Sequence, residues 1–178
     1  MNAKKTLASF LRPNWIIFII LFLIPYVNIC ALIAFLFSTI PAIRRANKFI
    51  KKLEEEGKLQ NAAAELTSSA AKHYMKGKVV LTPNYVFCKK RGYVFSYDEI
   101  AWAYRHTNTT TFLFIPVNTI DSIYLATRTM KPTQVASMGK DKLGEIKNVL
   151  IDIYNHNNNC LLGYTDETKA KYKSLKIR

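Results

Sequence analysis

From Asn14 to Ile40 the chain reads NWIIFIILFLIPYVNICALIAFLFSTI, with no ionisable side chain except Tyr26 and Cys30. A small soluble core has no place for so long an apolar run. As one straight helix it would reach about 40 Å, more than a hydrocarbon core of about 30 Å. The stretch 14–40 therefore predicts a membrane-embedded segment, and everything else becomes something held at a membrane surface. Trp15 is placed like an aromatic-belt residue at its start, and Ile40 closes it. The run is longer than the apolar region of a signal peptide, and no clean small-x-small site follows before Arg44, so cleavage is not expected.

Pro25 and Asn28 interrupt the run, and two geometries compete. One is a single tilted span kinked at Pro25. The other is a helical hairpin turning at Pro25-Tyr26-Val27-Asn28, with arms of about 15 and 18 Å. Length favours the span, because such arms are short for a full crossing. Charge favours the hairpin, because both flanks are basic: Lys4, Lys5 and Arg12 before, Arg44, Arg45, Lys48, Lys51 and Lys52 after. Basic flanks prefer the cytoplasm. The reading leans to the hairpin, and in both geometries the heavier cluster places the large domain in the cytoplasm.

The net charge of +14 is spread along all 178 residues. Residues 1–40 hold three basic side chains and no acid, residues 41–75 seven against four, and residues 76–178 sixteen against eight. Such a chain suits an anionic partner: membrane lipids, an acidic protein or nucleic acid. Next to an apolar anchor, the lipid surface is the simplest of these. Cys30, Cys88 and Cys160 are odd in number and far apart, which fits neither a disulfide framework nor a zinc ribbon.

Five segments follow. Residues 1–13 are a basic leader whose Leu7, Phe10 and Leu11 suit the membrane interface. Residues 14–40 are the membrane segment. Residues 41–75 hold linker helices. The first carries Ile43, Ala46, Phe49, Ile50 and Leu53 at helical spacing, with its lysines off that stripe, and Gly57 ends it. Its apolar side faces lipid or the domain. The second carries Leu59, Ala62, Ala63, Leu66 and Ala70.

Within 76–157 the period changes to two. Strand candidates are 78–82, 85–89, 93–97, 100–106, 111–117, 122–129 and 133–137, with Pro83-Asn84, Lys90-Arg91-Gly92, Thr107-Asn108 and Lys131-Pro132 as turns. Ile100, Trp102 and Tyr104 share one face by alternation. An amphipathic helix over 140–155 follows, with Leu143, Ile146, Leu150 and Ile153 as its stripe, helped by Val149 and Tyr154. In residues 158–178, Thr165 caps a basic tail helix that opens on Asp166 and Glu167. The expected class is α+β: an antiparallel seven-stranded bent sheet or partly open barrel capped by a helix.

Gly77, Leu81-Thr82, Tyr85, Phe87 and then Tyr97-Asp98-Glu99-Ile100 resemble the signature of bacterial pleckstrin-homology-like and GRAM-type domains. With the apolar N-terminal segment and the Leu162-Gly163-Tyr164 tail, the arrangement resembles bacterial membrane-anchored proteins carrying such a domain. The resemblance implies a PH-like fold and a binding or scaffolding role.

Candidate anionic-surface contacts are Arg44, Arg45, Lys48, Lys51 and Lys52 beside the anchor, and Lys89, Lys90 and Arg91 at a hairpin tip. Arg128 and Lys131 extend that patch if the two turns adjoin. Against this stands the plain reading of solvated turns. His156 and Cys160 are four apart with no second pair, so no metal site is expected. Asp98 and Glu99, read as neighbours on a strand, would face opposite ways and not converge. No Walker loop, GxSxG or dinucleotide fingerprint occurs, so neither a cofactor nor catalysis is expected. Trp102, Tyr104, Phe112 and Phe114 alternate as core residues would, which argues against a nucleic-acid stacking platform. The expected function is a membrane-anchored, non-enzymatic PH-like module that binds a protein or an anionic lipid surface. The alternatives are a small membrane enzyme or transporter accessory subunit, which predicts a concave pocket near the anchor, and a basic nucleic-acid-binding protein.

Overall fold

The structure is a computed structural model that describes residues 3–11, 37, 39–89, 91–112, 115–141 and 144–176. Of the expected membrane segment, residues 14–36 and 38, with Trp15, Pro25 and Asn28, lie outside the described residues, as does Lys90, while Ile40 is the first residue of a helix. No helix among the described residues is long and apolar enough to cross a membrane.

The chain is α+β. Among the described residues three helices come first: α1 (Ala3–Leu11), α2 (Ile40–Glu55) and α3 (Leu59–Thr67). Four antiparallel strands in sequential order make the first sheet: β1 (Lys72–Tyr74), β2 (Val79–Leu81), β3 (Tyr85–Cys88) and β4 (Tyr93–Ser96). A 3-10 turn, Tyr97–Glu99, leads into the second sheet. That sheet holds β5 (Ile100–Phe112), β6 (Ile115–Thr127) and β7 (Thr133–Gly139) as an antiparallel meander. Helix α4 (Glu145–His156) follows, then β8 (Leu161–Leu162), parallel to β5, and α5 (Asp166–Leu175).

Pro41 opens α2, where its missing N–H costs nothing. Gly57, at φ +67°, ends it. Lys58 N–H turns back to the Leu53 carbonyl at 2.9 Å and Gly57 N–H to Glu54 at 3.2 Å, the double closure of a glycine-terminated helix. Thr165 caps α5, its hydroxyl accepting the Thr168 N–H at 3.1 Å.

Three apolar clusters hold these elements together. The main one lies between the sheets, where Val79, Leu81, Val86, Cys88, Phe95, Ile100, Ile123 and Leu125 meet Ile146, Val149 and Ile153 of α4. The second covers the other face of the first sheet: Val80, Tyr85, Phe87 and Val94 pack under Leu7 of α1, Ala46, Ile50 and Leu53 of α2, and Ala62, Ala63 and Leu66 of α3. In the third, α5 lays Tyr172 over Trp102 and Tyr104 on the outer face of the second sheet.

Several expectations change here. Leu7 is fully buried in the second cluster and is not on a membrane interface; the side chains of Phe10 and Leu11 are not described. Of the two surfaces expected for the apolar side of α2, it is the domain that Ala46, Ile50 and Leu53 meet, packing on α1 and the first sheet. Ala70 lies beyond α3 and is exposed. Strand β1 precedes the stretch where alternation begins. Thr107-Asn108 is not a turn: β5 runs straight through it, paired Thr107 to Asp121 and Asn108 to Ile120. Of the expected strand 111–117, Thr111 and Phe112 close β5 and Ile115 to Val117 open β6, so three short strands become two long ones, while residues 113 and 114 lie outside the described residues. Ile100 and Trp102 do not share a face, because a register shift at Ala101 puts one extra residue into β5. Such a bulge reverses the alternation, sending Ile100 inward and Trp102 and Tyr104 outward under α5. On α4, Tyr154 is exposed and not part of the stripe, while Leu143 is outside the described residues.

Candidate functional site

Two basic clusters that are some forty residues apart in sequence meet in space. Arg45 on α2 donates its Nε–H to the Arg91 carbonyl at 3.1 Å, and its guanidinium lies 4.5 Å from the Tyr93 ring centroid. Gly92 allows the approach. It sits at φ +65°, and a Cβ there would come within 2.2 Å of the Ala42 carbonyl oxygen. A side chain at that position would drive α2 off the β3–β4 turn. The start of β7 adjoins the same place, where Arg91 donates to Gln134 Oε1 at 2.8 Å, and brings the β6–β7 turn beside it.

These three elements enclose a groove of about 1030 Å³. Arg45, Lys48, Lys51 and Lys52 of α2 line one wall, and Arg128 of the β6–β7 turn lines another. The floor is apolar, from Phe49, Tyr93, Val94, Phe95 and Met130, with Tyr93 and Phe95 stacked at 5.8 Å. Glu55, Asp98 and Glu99 are its carboxylates.

Part of this charge is already paired. Lys52 binds Glu99 at 2.8 Å, and Lys51 stands 3.7 Å from Glu55. The Glu99 hydrogen bond holds the Lys52 ammonium above its ordinary value, against the opposing effect of partial burial. Both pairs are largely exposed and contribute little to stability. Asp98 and Glu99 lie in the 3-10 turn, not on a strand, and both line the groove. Glu99 also closes a capping box with Ser96.

Of the expected contacts, Arg45, Lys48, Lys51 and Lys52 line the groove, and Arg91 anchors its rim. Arg44 and Lys89 are exposed outside it, and Lys131 is exposed on the adjoining turn without lining it. Arg128 completes the wall. Sequence reasoning passed over the floor: Phe49 reads there as an ordinary helix-stripe residue, Tyr93 to Phe95 as strand residues, and Met130 is not singled out.

The other polar groups have structural roles. His156 stacks on Tyr97 at 4.2 Å and its Nδ1 lies 2.7 Å from the Asp152 carbonyl. Burial pushes the Cys88 thiol far up and the Cys160 thiol up to about 12, so neither is a ready nucleophile. Among the described residues no group of His, Cys, Asp and Glu is placed to hold a metal ion.

In comparisons with known proteins, the chain matches no family model, no curated protein and no solved structure.

Proposed function

We propose that this chain is a membrane-anchored, non-catalytic binding module whose basic face meets an anionic lipid surface on the cytoplasmic side. One observation carries the reading: the Arg45–Arg91 contact joins the basic turn of the domain to the helix that begins where the apolar run ends. Arg44, Arg45, Lys48, Lys51 and Lys52 thus lie within about 20 Å of that point along α2. Each cation near an anionic surface contributes about 1 kcal/mol, and an anchor supplies the local concentration that lets several act together.

The flanks of the apolar run support the hairpin over the single span. Helix α1 precedes the run and α2 follows it, yet α1 packs on α2 and α3 in one cluster, and Lys4 binds Glu54 at 2.9 Å. A single crossing would put those helices on opposite sides of the bilayer. A segment that enters and returns leaves them together.

A PH-like reading draws on the order of elements: four antiparallel strands, three more, then a helix whose Ile146, Val149 and Ile153 close the space between the sheets. The groove is also the concave pocket that a membrane enzyme would need near its anchor. Two of its three carboxylates are tied to lysines, however, and among the described residues no Ser, Cys or His lines it, which favours binding over chemistry.

The test uses the full chain, with its native cysteines replaced and single cysteines placed at Asn2 or Arg178. In intact cells both should resist an impermeant maleimide and react after lysis. Labelling of the N-terminal cysteine alone would overturn the hairpin. Recovery of the chain in the soluble fraction without detergent would overturn the anchor. For the binding half, the chain in nanodiscs should show slower hydrogen exchange in α2 and the β3–β4 turn with phosphatidylglycerol than with phosphatidylcholine alone. Equal exchange in both would overturn lipid-surface binding.

A further inference from the structure

We infer that the groove between α2 and the β3–β4 and β6–β7 turns binds one phospholipid with a monoester phosphate, of the phosphatidic acid class. The proposal rests on the membrane reading above and names the ligand at that surface. Three features of the walls and floor carry it.

The first is charge. Five cations face three carboxylates, leaving the walls with a net charge of +2. Lys51 and Lys52 stand against Glu55 and Glu99, so the cations with no carboxylate partner are Arg45, whose Nε–H is on the Arg91 carbonyl, with Lys48 and Arg128, opposed by Asp98. Among the described residues, Lys48 and Arg128 show no ion pair or side-chain hydrogen bond. A phosphate monoester near neutral pH carries between about −1.5 and −2 and offers three acceptor oxygens. That suits three cations on two walls, whereas a diester carries one charge and leaves a cation uncompensated.

The second is the floor. Phe49, Tyr93, Val94, Phe95 and Met130 give a charged groove an apolar base, which water or a free ion would leave unsatisfied and an acyl chain would cover. The Thr127 hydroxyl is already taken by the N–H groups of Thr129 at 3.3 Å and Met130 at 3.0 Å. It also lies 3.2 Å from the Thr129 hydroxyl, so the two threonine hydroxyls of the lining are tied to each other, which favours a compact headgroup.

The third is position. Arg45 lies five residues into a helix that begins at Ile40, about 8 Å along its axis from the end of the apolar run. A lipid phosphate at that interface reaches the groove without leaving the bilayer.

The experiment titrates the full chain in zwitterionic micelles with dioctanoyl phosphatidic acid, dioctanoyl phosphatidylglycerol and glycerol 3-phosphate, read by calorimetry. Phosphatidic acid should bind about tenfold or more tightly than either of the others. Lys48→Gln and Arg128→Gln, both at exposed positions, should each weaken it by about fivefold or more. Asp98→Asn should strengthen it, a gain that misfolding would not produce. Equal binding of phosphatidylglycerol would mean that only charge is sensed, and equal binding of glycerol 3-phosphate that the floor takes no chain; either overturns the inference. So would unchanged affinity in both cation variants. Failure of the anchor is a separate result, since a chain soluble without detergent could still bind dioctanoyl phosphatidic acid in the groove.

Discussion

Strands β2 and β3 bury every residue on both faces, whereas β5 and β6 bury only the halves nearest the turns at Ile100 and Thr127. Val79-Val80-Leu81 and Tyr85-Val86-Phe87-Cys88 are unbroken apolar runs because one face meets the second sheet and the other meets α1, α2 and α3. From Arg105 to Thr111 the partner hairpin is exposed on β5, and it is largely polar. The difference teaches that the first sheet is a middle layer, whose strands read like those of a sheet covered on both sides. The second sheet is a middle layer only at its base and a free ribbon beyond it.

Three substitutions test that contrast, in falling order of effect. Phe87 is fully buried between the first sheet and the N-terminal helices, so Phe87→Ala should cost about 3–5 kcal/mol. Urea unfolding followed by circular dichroism measures it, and a loss under about 1 kcal/mol would mean the helices do not cover this face.

Asp121 marks the base of the ribbon. Its buried carboxylate takes two hydrogen bonds from Arg105, at 2.7 and 3.0 Å, one from the Thr107 hydroxyl at 2.6 Å and one from Asp141 N–H at 2.6 Å. Asp141 in turn accepts the Glu145 and Ile146 N–H groups at the start of α4, each at 3.0 Å. Burial alone would raise the Asp121 pKa, but the Arg105, Asp141 and Thr107 hydrogen bonds outweigh it and hold the group at about 2. A depressed folded-state pKa stabilises above the unfolded value, near 4. The contribution, about 2 kcal/mol, is lost as pH falls from about 4 through 2. Asp121→Asn should therefore lower the urea midpoint at pH 6, and its deficit should shrink towards pH 2. A deficit independent of pH would show that the carboxylate is not held as a charge.

Thr109 is on the exposed ribbon, 3.4 Å from Thr119 across the strands. Thr109→Ala should change stability by less than about 0.5 kcal/mol. A larger loss would mean that something covers the ribbon.

Some of this was legible in the sequence, for physical reasons. The Gly57 stop, the Thr165 cap and the Ile146, Val149, Ile153 stripe are local signals, and local signals survive folding. The β5–β6 hairpin was misread because Thr107 and Asn108 also serve as turn residues, and nothing local says that Thr107 reaches a buried Asp121. The bulge at Ala101 leaves no mark in composition, yet it decides which face Trp102 covers. The cations of the groove were legible one by one. Their convergence was not, because it depends on Gly92 letting a helix approach a turn some forty residues away, and on Asp98 and Glu99 lying in a 3-10 turn.

The cover over Val80 and Phe87 comes from both sides of the apolar run, since Leu7 precedes it and Ile50 follows it. During synthesis the earliest residues must wait for the last strands of the first sheet before they find their place. A fragment trimmed at residue 76 would leave Val80, Tyr85, Phe87 and Val94 bare to water and prone to clump. This body therefore cannot close until the chain on both sides of the apolar run has been made.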